Sequence, residues 1–393
     1  MNTEILKKEV QDFINQNLNT EVTKIILKES PFKSITSKEL ANQIAAKKKS
    51  EKKLSTWFNT PKIYFPKQIS IEQTSSEQTA NYKSSLISGD SIIDITGGFG
   101  VDCFYFAKHF KNVVHCELNE EISSIVAYNY KLLKVNNIEV KPINGLNYIK
   151  EKNTSFDWVY IDPSRRDDTK GKVFLLKDCL PNIPPKLDYL FSKTSNILIK
   201  VSPILDITST IRELKFTKEI HVVAINNEVK ELLFLLEKNW TETIRIKTIN
   251  IKKNENEIFN FIYKETPIFQ FSEPLTYLYE PNAAILKSGG FNHLCNNKVF
   301  KIAEHSHLFT SNENIKFPGR AFQIIEVLSY DKKKIKKLLP DNKANITTRN
   351  FPKTVSQIRK ETKIKDGGDI FIFMTTTQNG DYKVLVCKKN VNN

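Results

Sequence analysis

Only five cysteines occur in 393 residues, and none stands in a C-x-x-C pair. Cys103, Cys116, Cys179, Cys295 and Cys387 are dispersed and odd in number. That argues against a disulfide frame or a thiolate zinc site, and for reduced thiols in a cytoplasm. The histidines show no ligand spacing beyond His305-Ser306-His307, so no metal is expected. No apolar run reaches the roughly 18 residues of a membrane-spanning helix, so no membrane partner is expected. The opening MNTEILKKEVQDF mixes charged and apolar residues and lacks the basic start and apolar block of a signal peptide. Acids are short of bases, leaving a net charge of +15. This favours polyanionic partners, nucleic acid first, although a chain rich in Lys, Asn and Ile also follows from a biased genome.

The chain is long enough for two or three cores. Residues 1–70 read as helical. Ile5, Leu6, Val10, Phe13 and Ile14 recur at helical spacing, and Thr36 with Glu39 has the spacing of a capping box. The run KKKSEKK at 47–53 is either a solvated helix face or a nucleic-acid contact. From 71 to 264 short apolar strands alternate with amphipathic helices. Strands are expected at 91–96, 112–118, 139–144, 156–162, 196–202 and 219–225. Helices are expected around 101–110, 120–134, 174–180 or later, 206–214 and 228–238. A hairpin is expected at 241–262. This alternation means a parallel sheet covered on both faces, with ligands at the carboxyl ends of its strands. Residues 265–393 read as a small α+β domain, whose last two strands flank an Asn-Gly-Asp turn.

Three stretches carry chemistry. DITGGFGVD (94–102) joins the end of a strand to a helix through Gly97, Gly98 and Gly100. Such a turn lets backbone approach a ligand beside the free N–H groups of a helix start. It is not G-x-G-x-x-G, so a dinucleotide fits poorly. HCELN (115–119) places Glu117 at the end of the next strand, 23 residues after Asp94, where an acid accepts hydrogen bonds from both ribose hydroxyls. VYIDPSRRDD (159–168) ends the fourth strand in Asp162-Pro163 on the same rim.

Glycine turn, acid after the second strand and Asp-Pro after the fourth together resemble the class I S-adenosylmethionine-dependent methyltransferases. With IEQTSSEQTA (71–80) and RNFPKTVSQIRKETKIKDGGDIFIF (349–373), the chain is similar over nearly its whole length to a bacterial family of RNA methyltransferases with a THUMP-like, ferredoxin-related C-terminal domain. The substrate of that family is not assigned. The resemblance implies an α/β, Rossmann-like core with an N-terminal helical domain and a small α+β, ferredoxin-like C-terminal domain. It implies S-adenosylmethionine as cofactor and RNA as partner. Asp94, Thr96, Gly97, Gly98 and Gly100 match the cofactor turn. Glu117, with Leu118 beside it, matches the ribose-binding acid. Asn144-Gly145 stands where an acid near the adenine amino group is common. Gln73, Thr74 and Ser75 either bind the amino-acid end of the cofactor or cap the next helix.

Asp162, Pro163, Ser164 and Arg165 match the catalytic Asp/Asn-Pro-Pro-aromatic motif of amino-group methyltransferases. The departure is at Ser164 and Arg165, where the second proline and the aromatic are missing. Arg165 would stack through its guanidinium plane or hold a phosphate. Arg166 either contacts substrate backbone or pairs with Asp167 or Asp168. Pyrimidine C5 methylation needs a cysteine nucleophile, which the related enzymes place after the fifth strand, and KVSPILD (200–206) has none. The expectation is methylation of a base nitrogen in RNA. Two rivals remain: a methyltransferase acting on DNA or protein, and a non-catalytic RNA-binding protein with a vestigial cofactor site. Lys332, Lys333, Lys334, Lys336, Lys337, Arg349, Lys353, Arg359, Lys360, Lys363 and Lys365 form a basic C-terminal region that suits RNA backbone and equally ordinary solvation, with RNA favoured beside a methyltransferase core.

Overall fold

A computed structural model describes residues 1–165, 175–339 and 341–389. Two compact units emerge: Met1–Lys218 with Leu232–Glu242, and Glu219–Glu231 with Thr243–Asn393.

The first unit opens with helices. The longest, Ser37–Lys53, starts at a capping box: Thr36 Oγ1 accepts from the Glu39 N–H, and the Glu39 carboxylate accepts from the Thr36 N–H. It buries Leu40, Ala41 and Ile44. The KKKSEKK run is partly tied to neighbouring segments, while Lys48, Lys49 and Lys52 stay exposed. Lys47 donates to Asn15, Lys48 to Asn19, Lys49 pairs with Glu72, and Lys53 donates to the carbonyls of Ile71 and Glu72.

The sheet follows, with β1 at Gly89–Asp94, β2 at Phe110–Cys116, β3 at Ile138–Lys141 and β4 at Trp158–Ile161. Two short strands, β5 at Ser164–Arg165 and β6 at Cys179–Leu180, pair with each other. Next come β7 at Asn196–Val201, β8 at Thr217–Ile225 and β9 at Glu228–Glu237. In this unit the order is β9-β7-β4-β1-β2-β3, parallel except for β9 against β7. Ile92, Ile93, Val159, Tyr160, Ile161, Ile197, Leu198 and Ile199 are buried, as in strands covered on both faces. The chain runs from β1 outward through β2 to β3, then returns to β4 on the other side of β1. That reversal is where doubly wound sheets leave a ligand crevice.

Two expectations need correction. Residues 228–238 form strand β9 and no helix. An apolar run such as Leu232–Leu236 cannot be assigned by period alone when both faces are buried. The decisive signal is Asn226-Asn227, both with positive φ (48° and 67°), which make the two-residue turn between β8 and β9. Cys179 lies in strand β6 and not in a helix, while the helix expected at 174–180 or later is found at Leu187–Phe191.

In the second unit, β10 (Arg245–Ile251) runs parallel to β8, and β11 (Glu257–Ile262) antiparallel to β10, which is the hairpin expected at 241–262. The rest is a seven-stranded sheet. Its strands are β12 (Tyr277–Pro281), β13 (Phe300–Lys301), β14 (Phe309–Ser311), β15 (Gly319–Ser329), β16 (Asn345–Arg349), β17 (Ile370–Thr376) and β18 (Tyr382–Lys389). The order is β13-β14-β12-β15-β18-β17-β16. Helices Lys332–Lys337 and Val355–Thr362 bury Ile335 and Ile358 against Ile346, Ile372, Met374 and Val384.

Candidate active site

A cleft of about 690 Å³ opens at the carboxyl ends of β1, β2 and β4. Gln73, Thr74, Asp94, Thr96, Gly97, Gly98, Glu117, Leu118, Asn144, Asp162 and Ser164 line it. Its further wall is Leu180, Pro181, Asn182 and Lys186. A second cavity, of about 630 Å³, lies beside Met1, Gln43 and Tyr64. Gln43 there is satisfied by the Phe65 backbone, and of the chemical motifs only Asn119 of HCELN reaches it, its side chain spent on capping helix Glu120–Leu132.

The turn after β1 is built around absent side chains. A Cβ on Gly97 would collide with Nε2 of His115, a buried ring. Burial lowers that imidazole to about 4, so it is neutral and donates from Nε2 to the Gly98 carbonyl at 3.1 Å. Gly98 has φ +54°, a left-handed value that glycine adopts freely. Gly100, also left-handed, sits behind the turn, its carbonyl bonded to Tyr130 Oη at 2.6 Å.

Glu117 is held by two backbone donors. The Gly98 N–H meets Oε2 at 2.9 Å and the Asn119 N–H meets Oε1 at 2.7 Å. An ionised carboxylate has about four acceptor positions, so each oxygen keeps one for a ligand hydroxyl. Asn144 is different: its Oδ1 caps helix Gly145–Lys152 by accepting from the Leu146 and Asn147 N–H groups at 3.0 and 3.3 Å. Its free capacity is therefore the NH₂, a donor suited to an adenine ring nitrogen and not to the amino group. Gly145 packs on Ile95 and does not line the cleft.

Asp94 is wholly buried. Oδ1 accepts from the Thr96 N–H at 2.8 Å and the Thr96 hydroxyl at 3.0 Å, and Cys103 Sγ is 3.5 Å from Oδ2. Burial raises its carboxyl to about 7, against the opposing pull of the Thr96 N–H. Below it lies a buried polar group. Asp102 is 3.0 Å from Lys83 Nζ and accepts from Tyr160 Oη and Ser75 Oγ, each at 2.8 Å. Burial acts to raise Asp102, yet Lys83, then Lys200, hold it below the usual carboxylate range. Ser75 is therefore spent on Asp102 and Lys83 and does not itself line the cleft, and Ser76 caps helix Glu77–Ser85.

On the catalytic rim, the Asp162 N–H donates to Thr96 Oγ1 at 2.7 Å, and its Oδ2 accepts from Lys200 Nζ. Oδ1 has no bond among the described residues. Pro163 is buried outside the cleft, and Arg165 is described only as backbone in β5. Arg166, Asp167 and Asp168 lie outside the described residues. The thiol facing the cleft, Cys116, is pushed by burial to about 12, far from a neutral-pH nucleophile.

The sequence reading missed Lys83, Asp102, Asn182 and Lys200. A lysine inside the apolar β7 was the available signal for Lys200. Asn182 had none: among the described residues its buried Oδ1 has no partner in the cleft wall, an acceptor fit for a ligand donor. Acceptors for hydroxyls, a donor for a ring nitrogen and a buried acid together fit S-adenosylmethionine.

A model described as a THUMP domain-like family matches residues 319–389, and a ferredoxin-like domain model matches 277–318. A solved "putative methyltransferase" from Porphyromonas gingivalis W83 superposes with TM-score 0.87 and 29% identity over 98% of both chains. The chain has a methyltransferase fold, with a THUMP-like C-terminal domain. A rRNA methylase from Streptococcus thermophilus (14% identity, 41% of this chain and 94% of that one) and the tRNA m1G37 methyltransferase of M. jannaschii (13%, 43% and 51%) both reach TM-score 0.31. At that score neither carries weight here. No curated protein matches. Among the described residues no group of His, Cys, Asp and Glu is arranged to hold a metal, and no helix is long and apolar enough to cross a membrane.

Proposed function

We propose that this protein is an S-adenosylmethionine-dependent methyltransferase acting on a base nitrogen in RNA. The carrying observation is one cleft that joins Glu117, with acceptor capacity on both oxygens, to Asp162, whose Oδ1 is unspent among the described residues. When bound, the cofactor supplies a methyl group already activated on a sulfonium. The protein's task is then positioning. Glu117 accepts the ribose hydroxyls, Asn144 donates to the adenine ring, and Gln73 and Thr74 border the amino-acid end. Asp162 Oδ1 accepts an N–H of the target amine and turns its lone pair toward the methyl carbon.

RNA as the substrate is supported by the THUMP-like match and by charge. Lys333, Lys334, Lys336, Lys337, Lys360 and Lys365 are exposed. Arg349 and Arg359 are instead engaged by Glu280 and by Asp366. In this proposal residues 1–70 form a helical domain, 71–264 the catalytic domain and 265–393 the RNA-binding domain. Five free cysteines suit a cytoplasmic setting.

The test is calorimetric titration with S-adenosylmethionine, then transfer of tritiated methyl groups to total bacterial RNA with nucleoside analysis of the product. Micromolar binding, weakened at least about tenfold in Glu117→Ala, is the expected result. A folded protein that binds neither S-adenosylmethionine nor S-adenosylhomocysteine would sink the reading.

A further inference from the structure

Lys200 is out of place by composition. Strand β7 has neighbours on both sides, and Ile197, Leu198, Ile199 and Val201 are buried. A lysine there loses hydration and side-chain freedom. Its side chain is only 13% exposed. The register accounts for its partner: Ile161 of β4 stands beside Ile199 of β7, so the next residues along the parallel pair, Asp162 and Lys200, come side by side. Lys200 binds one oxygen of the Asp162 carboxylate, and Thr96 Oγ1 binds the Asp162 backbone N–H at 2.7 Å. Thr96 Oγ1 in turn donates to Asp94. Asp162 is thereby fixed at its backbone and at Oδ2, while Oδ1, unbonded among the described residues, is left to face a substrate.

We propose that Lys200 is a positioning residue for methyl transfer, locking the Asp162 carboxylate so that one oxygen faces the acceptor amine. This rests on the function proposed above. The terminal torsion of an aspartate is broad, so an untethered carboxylate would swing through many orientations. In the transfer, the acceptor lone pair forms the new N–C bond while the C–S bond breaks and its electron pair stays on sulfur. The N–H proton held at Asp162 Oδ1 then passes to water. Misdirecting that N–H misaligns the lone pair at the moment the bond forms, which slows the step without weakening cofactor binding.

The experiment compares Lys200→Met, Lys200→Arg, Asp162→Asn and the double variant Lys200→Met/Asp162→Asn. It reads turnover on total RNA, S-adenosylmethionine affinity by calorimetry and thermal unfolding. Lys200→Met should lose roughly ten- to a hundredfold in kcat, with cofactor affinity within about twofold of wild type. Lys200→Arg should recover much of the loss. In the Asp162→Asn background Lys200→Met should cost little more, because the carboxylate it orients is gone. Wild-type kcat in Lys200→Met overturns the proposal. So does the same fold-loss in both backgrounds, which marks a general structural role. A wild-type protein that fails to bind the cofactor instead removes the function on which the proposal stands.

Discussion

Asp94→Asn should make the free protein more stable at alkaline pH, at the expense of the ligand site. The carboxyl is buried and, among the described residues, has no cation bonded to it; its donors are Thr96 and the Cys103 thiol. Its folded value of about 7 lies above the ordinary 3.8. The sign follows from proton linkage: the folded state holds the proton more tightly, so stability is highest at low pH. It falls as pH rises from the unfolded value to the folded one, and is flat beyond. The whole span corresponds to about 4 kcal/mol, an upper bound that local relaxation reduces. Between pH 5.5 and 8 the wild type should lose about 2 kcal/mol through this group, or roughly 4–8 °C in Tm. Asparagine keeps the acceptor for Thr96 and carries no proton. The Asp94→Asn variant should therefore gain on wild type by that amount across the window. Thermal unfolding of both proteins without ligand, at half-unit pH steps, checks it. Parallel curves would refute the reasoning, since they would mean that Asp94 does not titrate in this range.

Gly97→Ala should distort the cofactor turn, because the new Cβ collides with the buried His115 ring. A loss of about 1–3 kcal/mol in stability, with at least tenfold weaker S-adenosylmethionine binding, is expected from denaturant unfolding and calorimetry. Asp102→Asn removes the carboxylate that faces buried Lys83 at 3.0 Å and should cost about 3–5 kcal/mol, whereas Asp102→Asn with Lys83→Met should recover part of it. Asn144→Asp keeps the helix cap but exchanges a donor for an acceptor. Tm should hold while cofactor affinity falls, and equal affinity would remove Asn144 from the adenine contact. Replacing Lys333, Lys334, Lys336 and Lys337 by alanine should lower the salt dependence of RNA binding by a slope of up to about 3, read from affinities between 50 and 200 mM salt.

Much of the site was legible because its parts are local. A glycine turn at 97–100, an acid one residue past a strand and Asp-Pro at another strand end each follow from strand–turn–helix chemistry written in consecutive residues. The capping box at Thr36 and Glu39 and the closing β17–β18 hairpin were legible for the same reason. The strand at 228–237 was not, because its buried apolar run has no period that separates it from a helix. Sequence alone also left the lysine run at 47–53 open, since spacing cannot say whether an acceptor waits nearby.

The chain by itself determined which residues stand at the carboxyl ends of β1, β2 and β4. Tertiary structure decided what each can still do. Only the packing of helix Glu77–Ser85 against the turn shows that Ser75 is spent on Asp102 and Lys83. Only the register of β4 against β7 brings Lys200 to Asp162, 38 residues away in the chain. Only the geometry of the cap shows that Asn144 has its amide NH₂, and not its oxygen, to offer. Hydrogen-bonding capacity is used up by neighbours in space, and those neighbours are set by the fold.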